Sequence, residues 1–193
     1  MGRDLLADSK VFAAAIDEVD ALFQRHADFS LRAELRGDNG SERFVRTEIA
    51  QPALFAVQVG ITRMFAAQGI EPIAVTGHSV GEVAAAWACG ALSLEDAVRV
   101  IYLRSHFQGL TRGQGEMTAV GLGAEAIAAY LERPEYRDVH LAGTNSAQGV
   151  TLAGPAEALT RLEAELAAQR HFAKRLPLDY AFHSPAMDPS ATT

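Results

Sequence analysis

Cysteine is nearly missing. Cys89 stands alone among 193 residues, so no disulfide can form within the chain. Positive charge is scarce as well: 17 Lys and Arg face 24 Asp and Glu, a formal net charge of −7. No Lys- or Arg-rich block interrupts that balance, which argues against a nucleic-acid surface. Gly, Gln, Arg or Glu breaks every apolar stretch before the roughly 18 residues that a membrane span needs. The basic, apolar and small-residue layout of a signal peptide is missing at the N-terminus. No His, Cys or Asp cluster has metal-ligand spacing, and there are no repeats. The expectation is a cytoplasmic protein with no metal, nucleic-acid or membrane partner.

What is present has the balance of a globular chain, with 49% hydrophobic and 21% charged residues, long enough for one domain carrying a small insertion. Residues 4–27 have apolar positions at helical spacing (Leu5, Phe12, Ile16, Val19, Leu22, Phe23), and 36–47 read as a polar loop. Gln51-Pro52 opens a second helix running to about Gln68. Pro72–Thr76 is a short strand candidate, and an alanine-rich helix spans Ser79 to Ala88. Ser93-Leu94-Glu95-Asp96 resembles a capping box that starts a helix through Gln108. From Glu116 the pattern changes to strand, helix, two strands around Asn-Ser-Ala-Gln, a helix over 155–169 and a strand over 172–178. That order, β-α-β-β-α-β, is the ferredoxin-like unit. The expected fold class is therefore α/β, with a ferredoxin-like subdomain (116–178) inserted into a body formed by 1–115 and 179–193.

Gly77-His78-Ser79-Val80-Gly81 fits G-x-S-x-G between a strand candidate and a helix. In a nucleophile elbow, small flanking residues permit a strained turn that lifts the serine oxygen out of the fold. The helix start behind it offers N–H groups, and the Val80 N–H could serve an oxyanion. The plainer alternative is a serine that merely caps the helix, and the strand candidate before it with the helix after it favours the elbow. A serine nucleophile needs a base. Of six histidines (26, 78, 106, 140, 171, 183), His183 lies in the loop "DYAFHSPAMDP" after the last strand, where α/β proteins place reactive groups. Arg104, on the next helix, reads either as a snorkelling side chain or as a bidentate carboxylate clamp, and spacing alone favours the former.

Three stretches carry a resemblance: "QPALFAVQVGITRMFAAQGIEPIAVTGHSVGEVAAAWACGALSLEDAVRVIYLRS", "GEMTAV" and "RLPLDYAFHSPAMDP". Together they resemble the acyltransferase domains of modular polyketide synthases and the malonyl-CoA:acyl carrier protein transacylases of fatty-acid synthesis. The resemblance covers nearly the whole chain. It implies an α/β-hydrolase-like body with an inserted ferredoxin-like subdomain. It further implies transfer of a malonyl-type unit from coenzyme A to the phosphopantetheine thiol of an acyl carrier protein, with neighbouring polyketide synthase domains as partners and no bound cofactor. Ser79 would be the nucleophile, His183 the base in a dyad without a carboxylate, and Arg104 the partner of the malonyl carboxylate. Val80, Met117, Tyr180, Phe182, His78 and Asn145 would complete the substrate site.

At the histidine loop, malonyl-selective relatives carry His-Ala-Phe-His and methylmalonyl-selective ones Tyr-Ala-Ser-His. Tyr180-Ala181-Phe182-His183 mixes the two. The bulk of Phe182, with Val80 after the serine, favours malonyl. The family also begins with a strand and a Gly-Gln-Gly loop and continues into C-terminal helices beyond "MDPSATT". The expectation is thus a fragment, weakly active or inactive alone and poorly soluble. Two other readings stand beside this one. A GxSxG serine hydrolase would leave Arg104 without a task and lacks a well-placed carboxylate. A non-catalytic carrier-protein interaction fragment would bind the carrier without acylating Ser79.

Overall fold

A computed structural model of the chain describes residues 1–188; residues 189–193, the end of the C-terminal segment assigned above to the body, lie outside the described residues. The chain forms two compact units, Met1–Gly109 and Leu110–Thr193.

The first unit is built on helices. The single helix expected over 4–27 is two: α1 (Arg3–Asp8) and α2 (Lys10–Phe23). Ser9 separates them in an extended conformation and caps α2 by accepting from Phe12 N–H, a role serine fills better than a helix interior. Leu31–Arg36 forms α3, and residues Ser41–Val45 of the expected loop make a 3-10 turn. Helix α4 (Thr47–Ala66) starts four residues before Gln51, so Pro52 lies inside it. The apolar faces of α2 and α4 supply the core: Phe12, Ile16, Val19 and Phe23 pack with Ala53, Phe55, Ala56 and Val59. By length and composition α4 is also long and apolar enough to cross a membrane, which corrects the expectation that no stretch would be; here one of its faces is core.

Helix α5 (Gly81–Ala88) and helix α6 (Leu94–Gly109) follow. The start of α6 is capped as expected, with Ser93 Oγ accepting from Asp96 N–H and donating to its carboxylate. Pro72–Thr76 forms no strand. A strand exists only through a ladder to a neighbour, and among the described residues this segment has none. Ile73 is fully exposed, with Phe65, Ile70 and Val75 also open to solvent.

The second unit has the expected order: β1 (Glu116–Val120), α7 (Ala124–Leu131), β2 (His140–Ser146), β3 (Gly149–Gly154), α8 (Ala156–Ala168) and β4 (Ala173–Arg175). The strands form one antiparallel sheet in the order β2-β3-β1-β4, with Met117 opposite Ala153 and Thr118 opposite Arg175. Strand alternation divides its residues between two faces. Val120, Val150 and Leu152 pack against Ile127, Leu159, Leu162 and Leu166 of the helices. On the other face, Met117 and Ala153 cluster with Ala181, and Leu176, Leu178 and Phe182 pack against them. The segment after β4 is tied into this unit: Arg112 pairs with Asp179 at 2.9 Å, and Gly113 N–H donates to Asp179 O at 2.7 Å.

Candidate active site

The turn at Ser79 is a strained one. Ser79 has φ 52°, the left-handed region that costs an L-residue about 1–2 kcal/mol. Two backbone bonds close the turn: Gly81 N–H donates to His78 O and Glu82 N–H to Ser79 O, both at 3.0 Å. A Cβ on Gly77 would lie under 3.0 Å from Glu82 N, Glu82 Cα and Gly81 C. Only glycine therefore lets the incoming chain pass this close to the first turn of α5. At Gly81, among the described residues beyond its own helix, the Cβ would meet Gln58 Nε2 at 3.6 Å, so the two glycines of the motif differ in kind. No backbone carbonyl among the described residues accepts from Val80 N–H, which stands one residue before α5 at the positive end of its dipole. The Val80 side chain packs on the core, whereas His78 is exposed.

Arg104 is not a snorkelling side chain. Its guanidinium turns to the elbow, where Nη2 donates to Ser79 Oγ at 3.0 Å. Nη1 donates to Gln51 Oε1 and, at 3.2 Å, to Gln108 Oε1. Gln51 Nε2 in turn donates to Gln108 Oε1 at 2.7 Å and to Thr47 Oγ1. Burial pulls the Arg104 guanidinium below the usual arginine range, and the field of Glu82 works against that shift. Among the described residues no carboxylate forms an ion pair with Arg104. The residues that hold it are neutral amides, so its charge stays available to an anionic ligand.

Gln51 and Gln108 were missed by the sequence reading, which used them only as the start and end of helices. The signal lay in spacing. Gln108 is one turn beyond Arg104 on α6, and i,i+4 residues share a helix face.

The remaining candidates belong to the second unit. Tyr180 is buried and stacks on Phe182, with ring centroids 5.0 Å apart and planes 8° from parallel. Met117 is buried, and Phe182 packs against its cluster. His183 is exposed and, like Ser79, has a positive φ, 59°. Ser184 pins the turn that carries it: its Oγ donates to Ala181 O at 2.6 Å and accepts from Ala186 N–H at 3.3 Å. Asn145 is exposed on edge strand β2, and its Nδ2 donates to Thr151 Oγ1 at 2.8 Å. The structure thus brings Ser79, Val80 and Arg104 together in the first unit, and Met117, Tyr180 and Phe182 together in the second, with His183 on the adjoining turn.

Comparison with known proteins places the chain in a family. The acyl transferase domain family matches residues 1–193. Erythronolide synthase EryA3 of Saccharopolyspora erythraea is 41% identical over 189 residues, covering 97% of this chain and 6% of that protein. The solved acyltransferase domain of the polyketide synthase PpsC of Mycobacterium tuberculosis superposes with a TM-score of 0.88 at 38% identity, over 97% of this chain and 56% of that one. The malonyl CoA-acyl carrier protein transacylase of Coxiella burnetii gives a TM-score of 0.87 at 28% identity, over 97% and 60%. The chain therefore spans a small part of the curated synthase it matches and little over half of the solved acyltransferase chains. Its α/β architecture, its strained serine turn and a family match along its whole length make it a member of the acyl transferase domain family.

Proposed function

We propose that this chain carries the acyl-transfer site of a polyketide or fatty-acid synthase acyltransferase. It moves a malonyl-type unit from coenzyme A to the phosphopantetheine thiol of an acyl carrier protein. The observation that carries the reading is the 3.0 Å contact between Arg104 Nη2 and Ser79 Oγ, which sets a half-buried cation beside a strained nucleophile. A neutral-ester hydrolase has no use for that cation.

Ser79 Oγ attacks the thioester carbonyl while His183 takes its proton. The negative charge that develops on the carbonyl oxygen is met by the Val80 N–H and the helix start behind it. Collapse of the tetrahedral intermediate expels the coenzyme A sulfur, which receives the proton from His183, and leaves malonyl-Ser79. Arg104 holds the free carboxylate through its planar fork. The carrier thiol then attacks the ester, with His183 again accepting and returning the proton, in ping-pong order. Met117, Tyr180, Phe182, His78 and Asn145 are the further substrate-site residues of this reading. The bulk of Phe182 favours malonyl over methylmalonyl. The chemistry calls for no metal and no bound cofactor, and the neighbouring domains of a cytoplasmic synthase are the natural partners. In architecture we read 1–115 and 179–193 as an α/β-hydrolase-like body and 116–178 as its ferredoxin-like insert. The antiparallel β-α-β-β-α-β unit and the similarity to solved acyltransferase domains support that reading.

The test is loading by malonyl-CoA in Arg104→Ala. Loss of malonyl loading with acetyl loading retained supports the transferase. Retention of malonyl loading overturns the clamp.

A further inference from the structure

We propose that Gln108 is a positioning residue that sets the preference of the site for anionic acyl groups, an inference that rests on the proposed function. An arginine has donors and no acceptor, so only the amide oxygens of Gln51 and Gln108 can face Nη1. That fixes the orientation of both amides, and Gln51 Nε2 is then turned to Gln108 Oε1, where it sits at 2.7 Å. Arg104, Gln51 and Gln108 close a ring in which the Gln108 oxygen accepts from both other members. Gln108 stands on α6 one turn after Arg104, while Gln51 reaches in from α4. The ring therefore ties the guanidinium to two helices and leaves Nη2 directed at Ser79 Oγ.

The neutrality of the ring matters as much as its geometry. A carboxylate at 108 would make the same contact but would pair with the guanidinium and compete with the carboxylate of the substrate. An apolar side chain of equal length would leave Nη1 with Gln51 alone. Both changes lower selectivity for a malonyl group, and they do so by different routes.

The experiment uses the full chain and single-turnover acylation of Ser79, read by intact mass, with malonyl-CoA and acetyl-CoA. It compares wild type with Gln108→Met and Gln108→Glu. The expected result is a malonyl-over-acetyl preference reduced about tenfold in Gln108→Met and about a hundredfold in Gln108→Glu, where each tenfold corresponds to about 1.4 kcal/mol. The loss lies in the half-saturating malonyl-CoA concentration more than in the limiting rate. An unchanged preference in both variants, or equal losses with both acyl groups, overturns the proposal. If wild-type Ser79 takes neither acyl group, the proposed function fails by itself. Gln108 is then judged by phenylglyoxal labelling of the Arg104 peptide: several-fold faster labelling in Gln108→Met supports a positioning role, and equal rates refute it.

Discussion

Replacing Gly77 by alanine tests the elbow at its most constrained point. The added methyl would fall under 3.0 Å from three backbone atoms, Glu82 N, Glu82 Cα and Gly81 C. No side-chain rotation can relieve a clash with backbone. Glu82 N is also the donor to Ser79 O at 3.0 Å, so moving it weakens the bond that starts α5. Overpacking of this kind costs about 1–3 kcal/mol, and one weakened turn bond adds about 1 kcal/mol. A loss of about 2–4 kcal/mol lowers a urea midpoint by roughly 1–2 M at a common m-value. The assay is urea denaturation followed by fluorescence of Trp87, which packs on the core of the same unit. Labelling of Ser79 by a fluorophosphonate probe is followed in parallel and should fall with the turn geometry. The control is Gly81→Ala, whose methyl meets Gln58 Nε2 at an ordinary 3.6 Å and should be neutral or stabilising by about 0.4–1 kcal/mol. A Gly77→Ala chain with the wild-type midpoint and undiminished labelling would refute the reasoning, as would equal costs at the two glycines.

Strain at the nucleophile predicts that Ser79→Gly is more stable than Ser79→Ala by about 1–2 kcal/mol, measured by denaturant midpoints; equal stabilities would remove the strain argument. Phe182→Ser should shift loading toward methylmalonyl-CoA by about 10–200-fold, the range for one methyl group in an apolar pocket, and competitive loading read by mass would reveal it. Arg133 lies over the rings of Tyr130 and Tyr136 and pairs with Glu165, whose carboxyl is held below the ordinary range chiefly by the hydrogen bond from Arg133. A depressed carboxyl favours the fold above its unfolded-state pKa, and that gain is lost as pH falls through the folded value. The stability gap between wild type and Glu165→Gln should thus be constant near neutrality and close on acidification; a gap that widens in acid would contradict the pairing.

How much of this was legible in the sequence depends on whether the signal was local. The β-α-β-β-α-β order was readable because each strand and helix of 116–175 carries its own period and its own turn. The capping box at Ser93 and the elbow at Ser79 are likewise local. Pro72–Thr76 misled because apolar content reports a wish to be buried, while a strand needs a partner that a five-residue window cannot supply. The break at Ser9 was hidden by an apolar spacing that runs through it from α1 into α2. Arg104 was misread because the apolar positions Ala97, Val98, Ile101 and Leu103 on its own helix dominated the pattern, while the acceptors that capture it, Gln51 and Ser79, lie 53 and 25 residues away. Gln51 and Gln108 had no motif of their own; spacing puts Gln108 on the Arg104 face of α6, but its pairing with Gln51 across α4 and α6 is disclosed only by the fold.

The central claim is that Ser79 is acylated by malonyl-CoA under the charge of Arg104. It is met most directly by the intact mass of the folded chain after incubation with malonyl-CoA, with Ser79→Ala alongside. Because one turnover per chain suffices, even slow acylation registers. The account predicts a single malonyl adduct, located on the Ser79 peptide and absent from Ser79→Ala. No adduct on the folded chain, or an adduct that persists in Ser79→Ala, would contradict it.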